Sequence, residues 1–402
     1  MKFRIAGSAC VLALAFSLAA CGEGGSSTSS GTSVITVIPT PTPTPTPTPS
    51  AVALATTINV NALDNYAAPT LPAYFDATVT ARDNIPVATS INNAQATLGR
   101  VLFYDRKLSV NNAIACASCH QQATGFDDPA RFSTGFSGAA FTSAHAMRLG
   151  NVRYWQPGSM FWNRRAATLE AQASQPIINS IEMGWDTAAG GINALVTKLQ
   201  AIDYYQQLFT LAFGSSTVTE TRIQQALAQF ERAMISSTSR WDTAYAQVFN
   251  VNAPNRGLNA TLPGFTAEED RGRQLFINGK NADGAGCAAC HEPPTFALDT
   301  NSRSNGLDAG ETVLFKSPSL KNIGLSRAFM HDGRFSTLAQ VVEHYNSGIQ
   351  AGPALDNRLK DGAGAPQRLN LSAADKAALV AFMQTLTDTA LANDPKFFNP
   401  FR

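Results

Sequence analysis

The sequence predicts an all-α protein built as two similar domains with long loops. Apolar residues recur at helical spacing, as at Ile223, Leu227, Phe230 and Met234, while convincing alternating strands are absent. A short pattern also returns: Gly99-Arg100-Val101-Leu102-Phe103 reappears as Gly272-Arg273-Gln274-Leu275-Phe276. At 402 residues and 44% apolar content, the chain is long enough for two cores. A net charge of +1 with no Lys/Arg-rich run leaves nothing for a nucleic acid or an anionic bilayer to grip, so neither is expected as an electrostatic partner.

In chain order, residues 1–20 read as an export signal. Lys2 and Arg4 form a basic start, and Ile5 to Phe16 is an apolar stretch too short to span a bilayer. Leu18-Ala19-Ala20-Cys21 resembles a bacterial lipobox, which makes Cys21 the lipidation site; the competing reading is an ordinary signal peptide with a chance cysteine. Acyl chains contribute about 0.8 kcal/mol per buried CH₂, so several of them anchor stably. Gly22, rather than Asp, favours the outer membrane. The expected product is a periplasm-facing lipoprotein held to the membrane by its lipid alone. Residues 21–70 read as a tether, rich in Gly, Ser and Thr and then alternating Pro-Thr from Pro39 to Pro49, an extended spacer of roughly 3 Å per residue. Residues 75–255 and 256–402 are assigned to the two domains, divided where Asn, Pro and Gly accumulate. Capping boxes at Thr266-x-x-Glu269 and Ser372-x-x-Asp375 start helices in the second.

Of six cysteines, Cys10 lies in the signal and Cys21 at its end. The other four sit in Cys116-Ala117-Ser118-Cys119-His120 and Cys287-Ala288-Ala289-Cys290-His291. Two thiols three positions apart reach the two vinyl groups on one haem edge, and the following histidine turns onto the iron; this is a c-type haem attachment pattern. A zinc site needs four ligands where each group offers three. A thioredoxin-like pair usually lacks the trailing histidine and sits in a βαβ pattern that is missing here. Two covalently bound haem c groups are expected, with His120 and His291 on the irons. A pure electron carrier fills both axial positions of each iron, whereas a peroxide-activating haem keeps one open. His145, His331 and His344 are the spare histidines.

From about Leu98 to Leu386 the chain resembles the bacterial dihaem cytochrome c peroxidase family, including its MauG-like branch. The resemblance is carried by Phe161-Trp162-x-x-Arg165-Ala166, Leu169-Glu170-x-Gln172-x-x-x-Pro176, Ile181-Glu182-Met183, Met330-His331-Asp332-Gly333-Arg334 and His344-Tyr345-Asn346. It implies two cytochrome c-like domains facing each other, an N-terminal haem that activates peroxide and a C-terminal haem that receives electrons. On that resemblance Gln172, Pro176 and Glu182 flank the open face of the N-terminal haem. Glu182 would carry a proton between the peroxide oxygens, and Gln172 would hydrogen-bond peroxide or water. Without the family, Glu182 is an ordinary charge near a helix end. Trp162 matches the family's tryptophan between the haems, an electron relay; its competing role is a core aromatic, the reading kept for Trp155, Trp185 and Trp241. Tyr345 stands where ordinary peroxidases place methionine and the MauG-like branch tyrosine, as sixth ligand of the C-terminal haem, lowering its potential. The alternative for Tyr345 is a half-buried helix residue; Met330 is the nearest methionine but in the wrong register.

The sequence departs from the family twice. Ordinary peroxidases cap the resting N-terminal haem with a histidine, where Ser133-Thr134-Gly135-Phe136 offers Phe136, so that haem is expected to be open; His145 could swing in, but its surroundings suit a packed segment better. The family's calcium takes an Asn side chain at what corresponds to His145, which has no side-chain oxygen, so calcium is doubtful although carbonyls around Ser326 and Ala328 remain. The leading functional reading is a peroxidase that reduces H₂O₂ to water, with electrons from a small periplasmic cytochrome c or cupredoxin. A MauG-like enzyme oxidising Trp or Tyr of a partner protein is the second, and a dihaem electron-transfer lipoprotein the third. Peroxidases of this family are often homodimers.

Overall fold

The computed structural model describes Gly25 and residues 50–87, 89–155, 159–297 and 302–402. The signal at 1–20, Cys21 and the Pro-Thr tract at 39–49 lie outside the described residues. The helices are α1 Ala51–Ala55, α2 Ala77–Thr80, α3 Asn93–Tyr104, α4 Cys116–Cys119, α5 Leu169–Ala173, α6 Gln175–Ile178, α7 Gly191–Gln200, α8 Asp203–Phe213, α9 Glu220–Arg232, α10 Arg240–Val248, α11 Ala267–Ile277, α12 Leu338–Glu343, α13 Ala373–Gln384 and α14 Thr389–Asn393. Among the described residues, β-structure is limited to isolated bridges, so the fold is all-α as expected. None of these helices is long and apolar enough to cross a membrane.

The repeated pattern marks one helix crossing made twice. α3 packs on α9 and α11 on α13. A Cβ on Gly99 would collide with the carbonyl of Ala226, and one on Gly272 with the carbonyl of Ala378, so only glycine lets these backbones approach so closely. The pattern's Leu102 and Phe103, and their counterparts Leu275 and Phe276, are buried behind the crossing. Arg100 is spent on chain ends, donating to the carbonyls of Phe398 and Pro395. Thr266 and Glu269 form the predicted reciprocal cap of α11. Ser372 caps α13 at 3.0 Å from Asp375 N, but Asp375 turns to Arg271, 2.8 Å away, instead of closing the box.

The cores do not follow the boundary drawn at 255/256. The first is built on Leu98, Leu102, Leu208, Ile223 and Phe230, but Leu391 and Phe397 from the C-terminal end complete it. The second holds Leu275, Phe276, Leu379 and Phe382 together with Tyr74, Val79, Trp241 and Tyr245. α10 thus belongs to the second core, its Trp241 stacking on Tyr245 and meeting Phe296 edge-on at 4.8 Å. Residues 49–402 form one compact unit. The tether expected up to residue 70 ends by Ser50: Val52 and Tyr66 are buried in the first core, and the Tyr66 hydroxyl donates to Lys396 O at 2.6 Å. Composition averaged over 21–70 hid these apolar anchors. A third cluster holds Trp155, Met160, Leu169, Ala228 and Ala297, with Cys290 partly buried against it.

Candidate functional site

The two Cys-x-x-Cys-His groups have the same build. Cys116–Cys119 forms the single turn α4, with Ser118 Oγ accepting from Ala115 N at 3.0 Å; Cys287–Ala289 forms a 3₁₀ turn. None of the four thiols is in a disulfide. Burial pushes Cys119 and Cys290 up to about 11. His120 Nδ1 lies 3.2 Å from Phe126 O, and His291 Nδ1 lies 3.2 Å from Pro318 O. Burial lowers both imidazoles, His291 to about 4, which favours a neutral ring that donates Nδ1–H to the carbonyl and leaves Nε2 as its unprotonated nitrogen. Phe126 and Phe296 each adopt a positive φ just after their motif, a second trace of the repeat.

His291 faces a cavity with about 1460 Å³ of empty space, its open mouth included. Its walls are largely apolar, with Phe276, Leu320, Val342 and Leu379, and Arg148, Arg303 and Lys316 are among the other lining residues. Arg148 Nε is buried without a partner. A flat apolar macrocycle with carboxylates on one edge fits this donor set. Tyr345 lines the same cavity from a π-helical turn, His344–Gly348, that continues α12. Met330 lines it too: its positive φ turns the chain so that Asn305 Nδ2 lies 3.2 Å from Met330 Sδ and 3.4 Å from the Tyr345 hydroxyl. Burial pushes the Tyr345 phenol above its usual range, partly offset by Asn305.

Near the first motif, Pro176 opens α6 and its carbonyl accepts from Met183 N at 3.2 Å, which folds the Glu182 segment back onto the helix pair carrying Gln172. Glu182 is half-buried, within electrostatic reach of both Cys116 and Cys119. Burial holds its carboxyl above the usual range, against the pull of Arg165. The loop expected to bear a capping histidine runs alongside: Phe136 N donates to Glu182 O at 2.9 Å. The residue-by-residue match carried Arg165 without a role; here it is the cation that faces Glu182.

The family profile described as di-haem cytochrome c peroxidase matches residues 93–248 and 267–390. The chain belongs to that di-haem cytochrome c peroxidase family. It is 31% identical over 321 residues to methylamine utilization protein MauG of Methylophilus methylotrophus, covering 76% of this chain and 86% of that one. Identity to cytochrome c551 peroxidase of Nitrosomonas europaea is 29% over 283 residues, 64% of this chain and 75% of the relative. A solved MauG-like protein associated with microbial copper homeostasis superposes with a TM-score of 0.61 at 30% identity, over 80% of this chain and 97% of that one. The protein is thus an oxidoreductase-family member with all-α, cytochrome c-like domains and two covalently bound haem c groups.

Other residues read from the family's pattern lie as follows. Trp162 lines the His291 cavity, its Nε1 donating to His145 O at 2.7 Å and its carbonyl accepting from Lys316 N at 2.8 Å. His145 is packed, with Nε2 3.1 Å from Asp127 Oδ1 and Nδ1 3.2 Å from the carbonyls of Ala130 and Arg131, so it has no free nitrogen with which to swing in as a ligand. Arg148 sits 3.6 Å from the same Asp127 and donates to Ser326 Oγ at 2.7 Å. The Asp127 carboxylate is thus met by both a guanidinium and an imidazole. Trp155, Trp185 and Trp241 are all buried core aromatics as expected, Trp155 in the third cluster. Lys316 and Glu231 were missed altogether, because nothing in their local sequence marks them. Both are buried, with Lys316 pulled down to about 7 and Glu231 pushed up to about 8 by burial.

Proposed function

We propose that this protein reduces hydrogen peroxide to water beside the His120 motif, with electrons entering through the His291 side from a small periplasmic cytochrome c or cupredoxin. When bound, the haem pair supplies the iron at which the O–O bond breaks and a store for the electron delivered to it. Glu182 takes a proton from one peroxide oxygen and returns it to the other. A carboxyl held above its usual range by burial can do both close to neutral pH. Gln172 offers an amide to hold the peroxide, Pro176 sets the turn that aims Glu182, and Phe136 brings no ligating atom that would need displacing. Trp162 offers an oxidisable indole between the halves. Two electrons and two protons turn each H₂O₂ into two waters. The observation that carries this reading is the half-buried Glu182 beside both thiols of the first motif.

A second reading is favoured by Tyr345 on the wall of the His291 cavity and by the likeness to MauG: withdrawal of the two electrons from a Trp or Tyr of a partner protein. Residues 1–20 and Cys21 support export and attachment to the outer membrane by a lipid anchor, facing the periplasm; we propose a homodimer as the assembly. The test is donor stoichiometry. A reduced small cytochrome c or cupredoxin mixed with the holoprotein and limiting H₂O₂ is expected to give up two electrons per peroxide. Peroxide consumed with neither small donor oxidised would overturn the peroxidase reading in favour of the second.

A further inference from the structure

Trp155, in the third core cluster, and Trp162, on the wall of the His291 cavity, have matched surroundings at their indole N–H groups. Trp155 Nε1 donates to Ser159 O at 2.7 Å and Trp162 Nε1 to His145 O at 2.7 Å. What covers the rings differs. Lys316 Nζ lies 4.7 Å from the Trp155 ring centroid and 3.5 Å from Met160 Sδ, with Trp155 1% and Lys316 6% exposed. Arg165, three residues beyond Trp162, covers Phe161 instead, at 3.5 Å. The backbone of Lys316 meanwhile donates to Trp162 O, so one residue touches both tryptophans. Trp155 is also the better buried partner of the second motif, packed in the cluster that reaches Cys290.

An ammonium on an indole face attracts the neutral ring. Once the indole loses an electron it carries positive charge, and the same ammonium repels it with little solvent to screen the two. We propose that Lys316 determines which indole relays electrons: its ammonium withholds Trp155 from oxidation and leaves Trp162 as the relay. The inference rests on the peroxide-reducing reading for its natural oxidant. Oxidation at Trp155 is an indole C–H and H₂O₂ giving an indole C–OH and water. The O–O bond breaks, a C–O bond forms, the indole loses two electrons and the peroxide gains them.

The test uses the holoprotein at about pH 6, where the buried Lys316 amine is charged. Wild type, Lys316→Met, Lys316→Gln and Lys316→Arg are each exposed to excess H₂O₂ without donor, and in parallel to ruthenium(III) tris(bipyridyl) photogenerated with a cobalt(III) acceptor, where two ruthenium(III) ions take the two electrons, water supplies the oxygen and two protons are released. Peptide mass spectrometry reads hydroxylation of Trp155 and Trp162, and the haem spectrum and melting midpoint select the variants that fold. Wild type and Lys316→Arg are expected to be modified chiefly at Trp162, whereas Met or Gln raises the share at Trp155 by about fivefold or more with both oxidants. An unchanged Trp155 share in the folded neutral variants, or a wild type modified equally at both, overturns the proposal. If the ruthenium samples show the rise while peroxide modifies no variant, the role of Lys316 stands and the peroxide reading fails.

Discussion

Replacing Glu182 by Gln keeps the shape of the side chain and removes the proton it carries between oxygens. The carboxyl is half-buried near both thiols of the first motif, and burial outweighs Arg165 in holding its pKa up. A proton carrier so placed contributes about 10²–10⁴ in rate, or roughly 2.7–5.5 kcal/mol of barrier at about 1.4 kcal/mol per decade. Glu182→Gln should slow the reaction of the holoprotein with H₂O₂ by a factor in that range. Its unfolding free energy should stay within about 1 kcal/mol of wild type, because the change is isosteric and only half-buried. The pH profile is the sharper readout. Glu182 must be ionised to accept the first proton, so the wild-type rate falls as pH drops through its raised pKa, and the variant loses that acid limb. Stopped-flow mixing with peroxide across about pH 4 to 8 measures both. A variant within about threefold of wild type that keeps the acid limb refutes the role given to Glu182.

Four further outcomes are expected. Gly272→Ala, whose Cβ collides with the Ala378 carbonyl, should destabilise by about 1–3 kcal/mol, and Gly99→Ala likewise against Ala226; chemical unfolding reads both. Glu231 stays protonated in the folded state between its unfolded pKa and about 8, so its contribution is full below the unfolded pKa and lost as pH rises through 8. Glu231→Gln should therefore gain about 2–5 kcal/mol on wild type between mildly acidic and alkaline pH, and parallel pH–stability curves would contradict this. Tyr345→Phe removes the phenol oxygen from the His291 cavity and should raise the lower of the two haem potentials in a redox titration; unchanged potentials would remove Tyr345 from the iron. Cys116→Ala combined with Cys119→Ala should halve the covalently bound haem measured after denaturation and solvent extraction, leaving the His291 haem in place.

Much of this was readable from residues alone where local chemistry is self-contained. The two haem motifs need only five consecutive residues each, and the repeated Gly-Arg-x-Leu-Phe marked a helix crossing whose glycine is forced by backbone contact. The helical face of Ile223, Leu227 and Phe230 is buried as its spacing predicted, because one long amphipathic helix sets its own register. What long-range packing decides was not legible. No local signal shows that Phe397 closes the first core or that Trp241 belongs to the second. The Lys316 amine escaped because its meaning lies in a ring far off in the chain. Composition also overextended the tether, since a few apolar residues such as Val52 and Tyr66 suffice to dock a polar segment.

The measurement closest to the central claim is the electron paramagnetic resonance and optical spectrum of the oxidised holoprotein, recorded before and after one equivalent of H₂O₂. A high-spin ferric signal that disappears on adding peroxide, beside a low-spin haem without a methionine-to-iron charge-transfer band, is the predicted result. Two low-spin haems indifferent to peroxide, even after one-electron reduction, would contradict it and leave an electron carrier.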